Sequence, residues 1–171
     1  IADDASHCSA YGHTFVTTPH FDRVAREGVL FTNAFTTNPK CAPSRASILT
    51  GRHTWQNRES CLHWNYWPED LPVYPDLLEE AGYHVGYTGK GWAPGDWKRC
   101  GRKRNPAGVH YNKQKLPPPA GSKISSNDYA GNFAEFLAEA NSAKGRPWAF
   151  WYGATEPHRG YEAGVGRRMG K

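Results

Sequence analysis

Hydrophobic and polar positions along the chain switch repeatedly between a helical and a strand period. Pro19 to Gly28 carries Phe21, Val24 and Ala25 on one face, with Thr18 before it and Gly28 closing it, which predicts a short helix. Val29 to Phe35 is rich in β-formers and predicts a strand. Cys41 to Arg52 predicts a second helix, with Cys41 just in front of it, Pro43 in its first turn, Ser44 as a capping residue and Gly51 at its end. Tyr74 to Gly82 predicts a helix and Tyr83 to Thr88 a strand. Asn127 to Asn141 is amphipathic, with Tyr129, Phe133, Leu137 and Ala140 along one face. Trp148 to Ala154 is a continuous apolar run of the kind found in the middle of a parallel sheet. Ile1 to Asp3 fits the end of a first strand. Alternation of this kind predicts an α/β fold, a mostly parallel sheet flanked by helices.

Two segments break the pattern. Trp55 to Asp70 is irregular and aromatic, a source of core residues or of a sugar-stacking wall, with core the expected role. Gly91 to Ser126 is long and rich in Gly, Pro, Lys and Arg, and loops of that length tend to be functional or mobile. No internal repeat is visible. A chain of 171 residues is long enough for one domain with a core; no apolar run approaches membrane-spanning length, and because the start is abrupt the lack of a visible signal peptide says nothing about secretion. Both ends are abrupt, so a piece of a longer protein is expected, its first strand truncated.

Charge adds little on its own. Much of the net +5 comes from Lys98 to Arg104, which reads as a solvated loop, or else as a rim attracting an anionic substrate. No basic helix or RNA-binding motif accompanies the run, so nucleic acid is not an expected partner. The cysteines are Cys8, Cys41, Cys61 and Cys100; if Cys41 is catalytic, at most one internal disulfide remains.

The candidate chemistry gathers where strands end: Asp3-Asp4, Gly89-Lys90, and Thr155-Glu156-Pro157-His158-Arg159. Ligand sites of open α/β sheets lie at the carboxyl ends of the strands. Adjacent aspartates offer oxygen ligands to a hard cation, Ca²⁺ or Mg²⁺. Cys41 stands at a helix N-terminus, where unpaired N–H groups favour negative charge, and Arg45 adds a positive charge to the same spot. These residues describe an anion site with a reactive side chain at its mouth, although each alone has an ordinary structural reading, Cys41 as a buried thiol.

The run Cys41-Ala42-Pro43-Ser44-Arg45 with Thr50-Gly51-Arg52 resembles the signature of the Cys-type sulfatases. The resemblance extends from Ile1 to about Gly160. It implies the alkaline-phosphatase-like sulfatase fold, with residues 1–171 as the N-terminal part of a catalytic domain. It implies that a maturing enzyme converts Cys41 to formylglycine, whose hydrated aldehyde attacks sulfur and later expels sulfate. Asp3 and Asp4, with residue 41, would bind the metal. Arg45, Lys90 and His158 would be catalytic, and Arg159 would bind substrate.

Glu156-Pro157-His158-Arg159, Asn33-Ala34-Phe35 and Pro19-His20-Phe21-Asp22 look most like the heparan N-sulfatases. The implied substrate is therefore a sulfated saccharide, N-sulfoglucosamine of heparan first, and the implied location an exported compartment: bacterial periplasm or exterior, or lysosome. An O-sulfatase on a glycosaminoglycan sugar, a phosphonate or phosphodiester hydrolase on the same scaffold, and a non-catalytic glycan-binding relative stay open. Two departures stand out. Trp92 occupies the position two residues after Lys90 where many sulfatases have a histidine, and the family's downstream Asp-Asn metal pair is absent, so this chain alone is expected to be inactive.

Overall fold

The computed structural model describes residues 1–143, 145–160 and 162–169. Helix α1 spans Pro19–Glu27, α2 Cys41–Thr50 and α3 Tyr74–Glu80. Strand β1 (His84–Gly89) follows, then a short β2 (Val109–His110), helix α4 (Tyr129–Ser142), strand β3 (Trp148–Gly153) and the short helix α5 (Val165–Met169). The strands form a parallel sheet in the order β2-β1-β3. In the β1–β3 ladder His84 stands beside Trp148 and Gly89 beside Gly153, so the two strands end together. On the far side of β3 an isolated parallel bridge joins Ala2 to Ala154.

Successive side chains of a strand point to opposite faces, and β1 divides the core accordingly. Tyr87 joins a cluster made with Leu49 of α2, Trp67, Leu71, Val73, Trp92 and Trp151. Gly86 faces the other way, where a Cβ would come within 2.6 Å of the Tyr111 ring and 2.9 Å of the Phe136 ring. There Tyr111, Phe136 and Ala140 form a second cluster, with Phe133, Leu137 and Phe150 against it. The sheet is thus flanked by helices on both faces, as the alternation predicts.

Several boundaries agree closely. Gly51 ends α2 in the left-handed conformation (φ +66°). Cys41 is the first residue of α2, one position further in than expected, and Ser44 lies inside the first turn, its amide donating to the Lys40 carbonyl at 3.0 Å. The buried face of α4 is centred on Asn132, Phe136 and Ala140; Phe133 and Leu137 flank it. Asp128 caps this helix by accepting the Gly131 amide at 2.8 Å.

Three expectations are corrected. Val29 to Phe35 is not a strand, and Val29, Phe31 and Phe35 are 74%, 67% and 92% exposed. Its β-forming residues supply propensity, but a strand persists only against a neighbour and a buried face, and no described strand lies beside it. β3 is not fully buried, because among the described residues only the bridge at Ala2 lies beyond it; Trp148 and Tyr152 are exposed. The segment 91–126 is not a bare loop: it contributes β2 and is held by amide side chains. Asn105 accepts from the Trp92 amide at 2.9 Å and donates to the Trp92 carbonyl at 2.9 Å. Asn112 accepts from the Thr88 hydroxyl at 2.8 Å and the Gly89 amide at 2.7 Å.

In the aromatic segment Trp67 is fully buried, the core role expected, whereas Trp55 and Trp64 are exposed. The basic run is partly neutralised against α3: Arg102 and Arg104 pair with Asp76, and Arg104 also with Glu79. All four cysteines are free thiols.

Where β1 and β3 end, glycine is required. Gly89 has φ +73°, and a Cβ there would lie 2.0 Å from the Gly153 carbonyl oxygen; a Cβ on Gly153 would lie 2.0 Å from that of Lys90. This closeness lets the Lys90 amide donate to Gly153 at 2.7 Å. Gly153→Ala is therefore expected to destabilise the protein by about 1–3 kcal/mol or more, since backbone must move to admit the methyl group. Denaturant unfolding of the full-length protein measures this, and an unchanged midpoint contradicts it.

Candidate functional site

The segment bridged to β3, the turn after β3 and the start of helix α2 meet at a single cavity, with the end of β1 behind it. The Ala2–Ala154 bridge sets Asp3 beside the end of β3, and the β1–β3 register brings Lys90 to the same edge. The turn after β3 is pinned by Glu156, which accepts from the Ser125 amide at 2.6 Å and the Tyr129 hydroxyl at 2.9 Å. That turn delivers His158, and α2 delivers Cys41. The cavity has a volume of about 510 Å³, and Asp3, Asp4, Lys40, Cys41, His63 and His158 are among the residues that line it. Ligand atoms of Asp3, Cys41 and His158 all lie within 4.8 Å of one another.

Arg45 is 1% exposed, and a buried guanidinium must find partners. It pairs with the Asp3 carboxylate at 2.8 Å, donates to the Gly91 carbonyl at 3.0 Å and also donates to the Lys90 carbonyl. The Trp151 ring lies 5.9 Å from it. The Lys90 ammonium takes the other Asp3 oxygen at 2.6 Å. Burial alone pushes the Asp3 carboxyl up, but the hydrogen bonds and charges of Lys90 and Arg45 outweigh it and hold the group down at about 2. Asp4 adopts φ +63°, a left-handed conformation that Asp tolerates better than most residues. Arg45 and Lys90 reach the site through the Asp3 carboxylate; neither is a wall of the cavity.

Asp3, Asp4, Cys41 and His158 are thus gathered at one cavity, with Arg45 and Lys90 behind them. Arg159 is not: it is exposed and lines a separate depression with residues 160 and 162–167. Trp92 is fully buried edge-on against Trp67, ring centres 5.2 Å apart, and takes no part in the cavity. Lys40 and His63 are cavity residues the sequence did not single out. Lys40 adjoins the signature and was within reach of that motif; His63 stands in the irregular aromatic segment, where no period or spacing marks it. Burial, then the cations Lys40 and Lys90, push the His63 ring below its ordinary range.

A hard divalent cation takes oxygen ligands. With Cys41 as a thiol, the Asp3-Cys41-His158 set offers O, S and N, which suits a softer metal such as zinc. An aldehyde hydrate at residue 41 replaces the sulfur by oxygen, and with Asp3 and Asp4 the set then fits Ca²⁺ or Mg²⁺.

The family model for sulfatases matches residues 1–165. The chain belongs to the sulfatase family. Members of that family are generally formylglycine- and metal-dependent. Among relatives, the human N-sulphoglucosamine sulphohydrolase is 41% identical over 96 residues, 53% of this chain and 19% of that protein. The N-acetylglucosamine-6-O-sulfatase of Bacteroides thetaiotaomicron is 30% identical over 163 residues, 90% of this chain and 28% of that protein. This chain therefore spans only 19% to 28% of the length of these curated relatives.

A solved structure described as a complex with its substrate D-glucosamine-2-N,6-O-disulfate superimposes with a TM-score of 0.59 at 23% identity, covering 88% of this chain and 32% of that one. A sulfatase structure from work on glycosaminoglycan metabolism by Bacteroides thetaiotaomicron gives 0.62 at 21% identity, covering 92% and 50%. These likenesses carry the fold, the alkaline-phosphatase-like arrangement of parallel sheet and flanking helices. No helix among the described residues is long and apolar enough to cross a membrane.

The ion cluster makes two measurable statements. Arg45→Ala leaves Asp3 and two carbonyls short of a donor in a dry site, and should cost about 3–5 kcal/mol in denaturant unfolding; a cost near zero contradicts the cluster's structural role. The Asp3 carboxyl is depressed, so its contribution to stability is complete above its unfolded value near pH ~4 and is lost as pH falls toward 2. In metal-free protein, Asp3→Asn should flatten the acid limb of stability over that window.

Proposed function

We propose that the full protein is a sulfatase acting on a sulfated sugar, through a formylglycine made from Cys41 and a bound Ca²⁺ or Mg²⁺. This chain would be the N-terminal part of its catalytic domain. The observation that carries the reading is the convergence of Cys41, Asp3 and His158, with donor atoms within 4.8 Å of one another, at the N-terminal turn of α2. Asp3, Asp4 and the residue-41 oxygens would hold the cation, which supplies Lewis acidity that lowers the pKa of a hydroxyl.

The chain's own residues carry the remaining work. The first turn of α2 turns unpaired amides toward negative charge. Lys90 and Arg45 supply the positive field at the Asp3 end of the cavity, and a charge fixed in a dry site stabilises developing charge more than water does. His158, close to both Asp3 and Cys41, hydrogen-bonds the sulfate or delivers a proton to the leaving group. That proton matters most for a sulfamate, because an amine leaving an N–S bond departs poorly without one. Arg159, turned to a different depression, has no part in this scheme.

N-sulfoglucosamine is the substrate proposed first. The Glu156-Pro157-His158-Arg159 run and the human relative named for N-sulphoglucosamine favour it, whereas the Bacteroides relative, named for 6-O-sulfated N-acetylglucosamine, favours the O-sulfatase alternative. A sulfatase-maturing enzyme is the implied partner, and an exported compartment, bacterial or lysosomal, the implied location.

With the full-length, matured enzyme, sulfate release from N-sulfoglucosamine should exceed release from glucosamine 6-sulfate. Reversal of that order moves the protein to the O-sulfatases, and release from neither, with turnover of phosphate esters, overturns the sulfatase reading. Cys41→Ala should abolish turnover and leave the unfolding midpoint in place; substantial remaining activity defeats the assignment of the nucleophile.

A further inference from the structure

We propose that His63 is a substrate-contacting residue of this site, its Nε2–H donating to an oxygen of a sulfate group seated between Cys41 and His158. The inference rests on the reading of the cavity as a sulfate-hydrolysing site. His63 lines the cavity together with Asp3, Cys41 and His158. Its Nε2 is shielded from solvent and finds no hydrogen-bond partner in the protein. An unpaired buried polar atom carries a desolvation cost, and a ligand that satisfies it recovers that cost. Sulfate oxygens only accept hydrogen bonds, so the tautomer that answers them carries its hydrogen on Nε2.

The backbone around His63 is fastened as a binding residue requires. The Trp64 amide donates to the Pro94 carbonyl at 3.3 Å, and the Asp96 amide to Asn65 at 2.8 Å. Tyr66 and Asp96 form a parallel bridge, and Trp64 is held at φ +63°. These contacts tie His63 to the segment just after Lys90, which is itself bonded to Asp3. Burial first, and then the cations Lys40 and Lys90, hold the His63 ring below its ordinary range. His63 adds a directed N–H donor to the site, on a different segment of the chain from Lys90 and Arg45.

The test uses full-length, matured, metal-loaded enzyme and three variants: His63→Ala, His63→Gln and His63→Asn. A Gln amide places a donor near the position of Nε2, whereas an Asn amide places one near Nδ1. Inorganic sulfate serves as competitive inhibitor and N-sulfoglucosamine as substrate. His63→Ala and His63→Asn should weaken sulfate inhibition and lower kcat/KM by about 10- to 100-fold, the effect of losing one hydrogen bond to a charged group. His63→Gln should keep most of both.

Wild-type inhibition in His63→Ala overturns the proposal, as does equal impairment of all three variants at unchanged thermal midpoint. If His63→Ala lowers the midpoint, the comparison of Gln with Asn decides. A wild-type enzyme that hydrolyses no sulfate ester or sulfamate overturns the reading of the site itself, an outcome distinct from either of these.

Discussion

Arg45 carries a full charge into a place water does not reach, and the arrangement of the site follows from what that charge requires. Its partners are the Asp3 carboxylate and the carbonyls of Lys90 and Gly91, supplied by the segment beside β3 and by the chain leaving β1. Lys90 closes the set by taking the second Asp3 oxygen. One buried cation in α2 thus fixes the helix bearing Cys41 against two of the strand ends that bear its chemical partners. Removing Asp3 leaves the buried Arg45 charge without its counter-ion, so the cluster is far more costly to break than a surface ion pair.

The same cluster prepares the site for anions. Asp3 is held ionised by two cations and lies beside Cys41 and His158. A carboxylate kept charged at low pH is a ready ligand for a metal. In the proposed reaction its two cationic neighbours would balance negative charge from behind the cavity wall. Oxidation of Cys41 from sulfur to oxygen chemistry would shift the donor set toward a hard cation, which links maturation of the residue to the metal the site prefers.

Much of this was legible in the sequence, because the informative residues are local to motifs. The signature reported helix α2 and its glycine end; Lys90 and His158 follow β1 and β3, and Asp3-Asp4 follow the bridge at Ala2. What stayed hidden depends on partners distant in sequence. Val29 to Phe35 has strand composition without a neighbouring strand. The buried stripe of α4 is set by Tyr111 and Phe150 across the sheet, which turn Phe136 inward. β2 is two residues long, and its existence follows from its ladder with β1 rather than from any period of its own. His63 enters the cavity because its segment is stitched to Pro94 and Asp96, a tertiary contact with no local mark. Arg159, next to His158 in sequence, is exposed and lines a different depression.

The central claim is that Cys41 is the precursor of the nucleophile, and its chemical state decides it. Peptide mass analysis of residue 41 in natively matured, full-length protein is the most direct measurement. The account predicts an aldehyde in place of the thiol at Cys41, with Cys8, Cys61 and Cys100 remaining cysteines. An unmodified thiol at Cys41 in protein from its native host would contradict it and leave a glycan-binding relative without turnover.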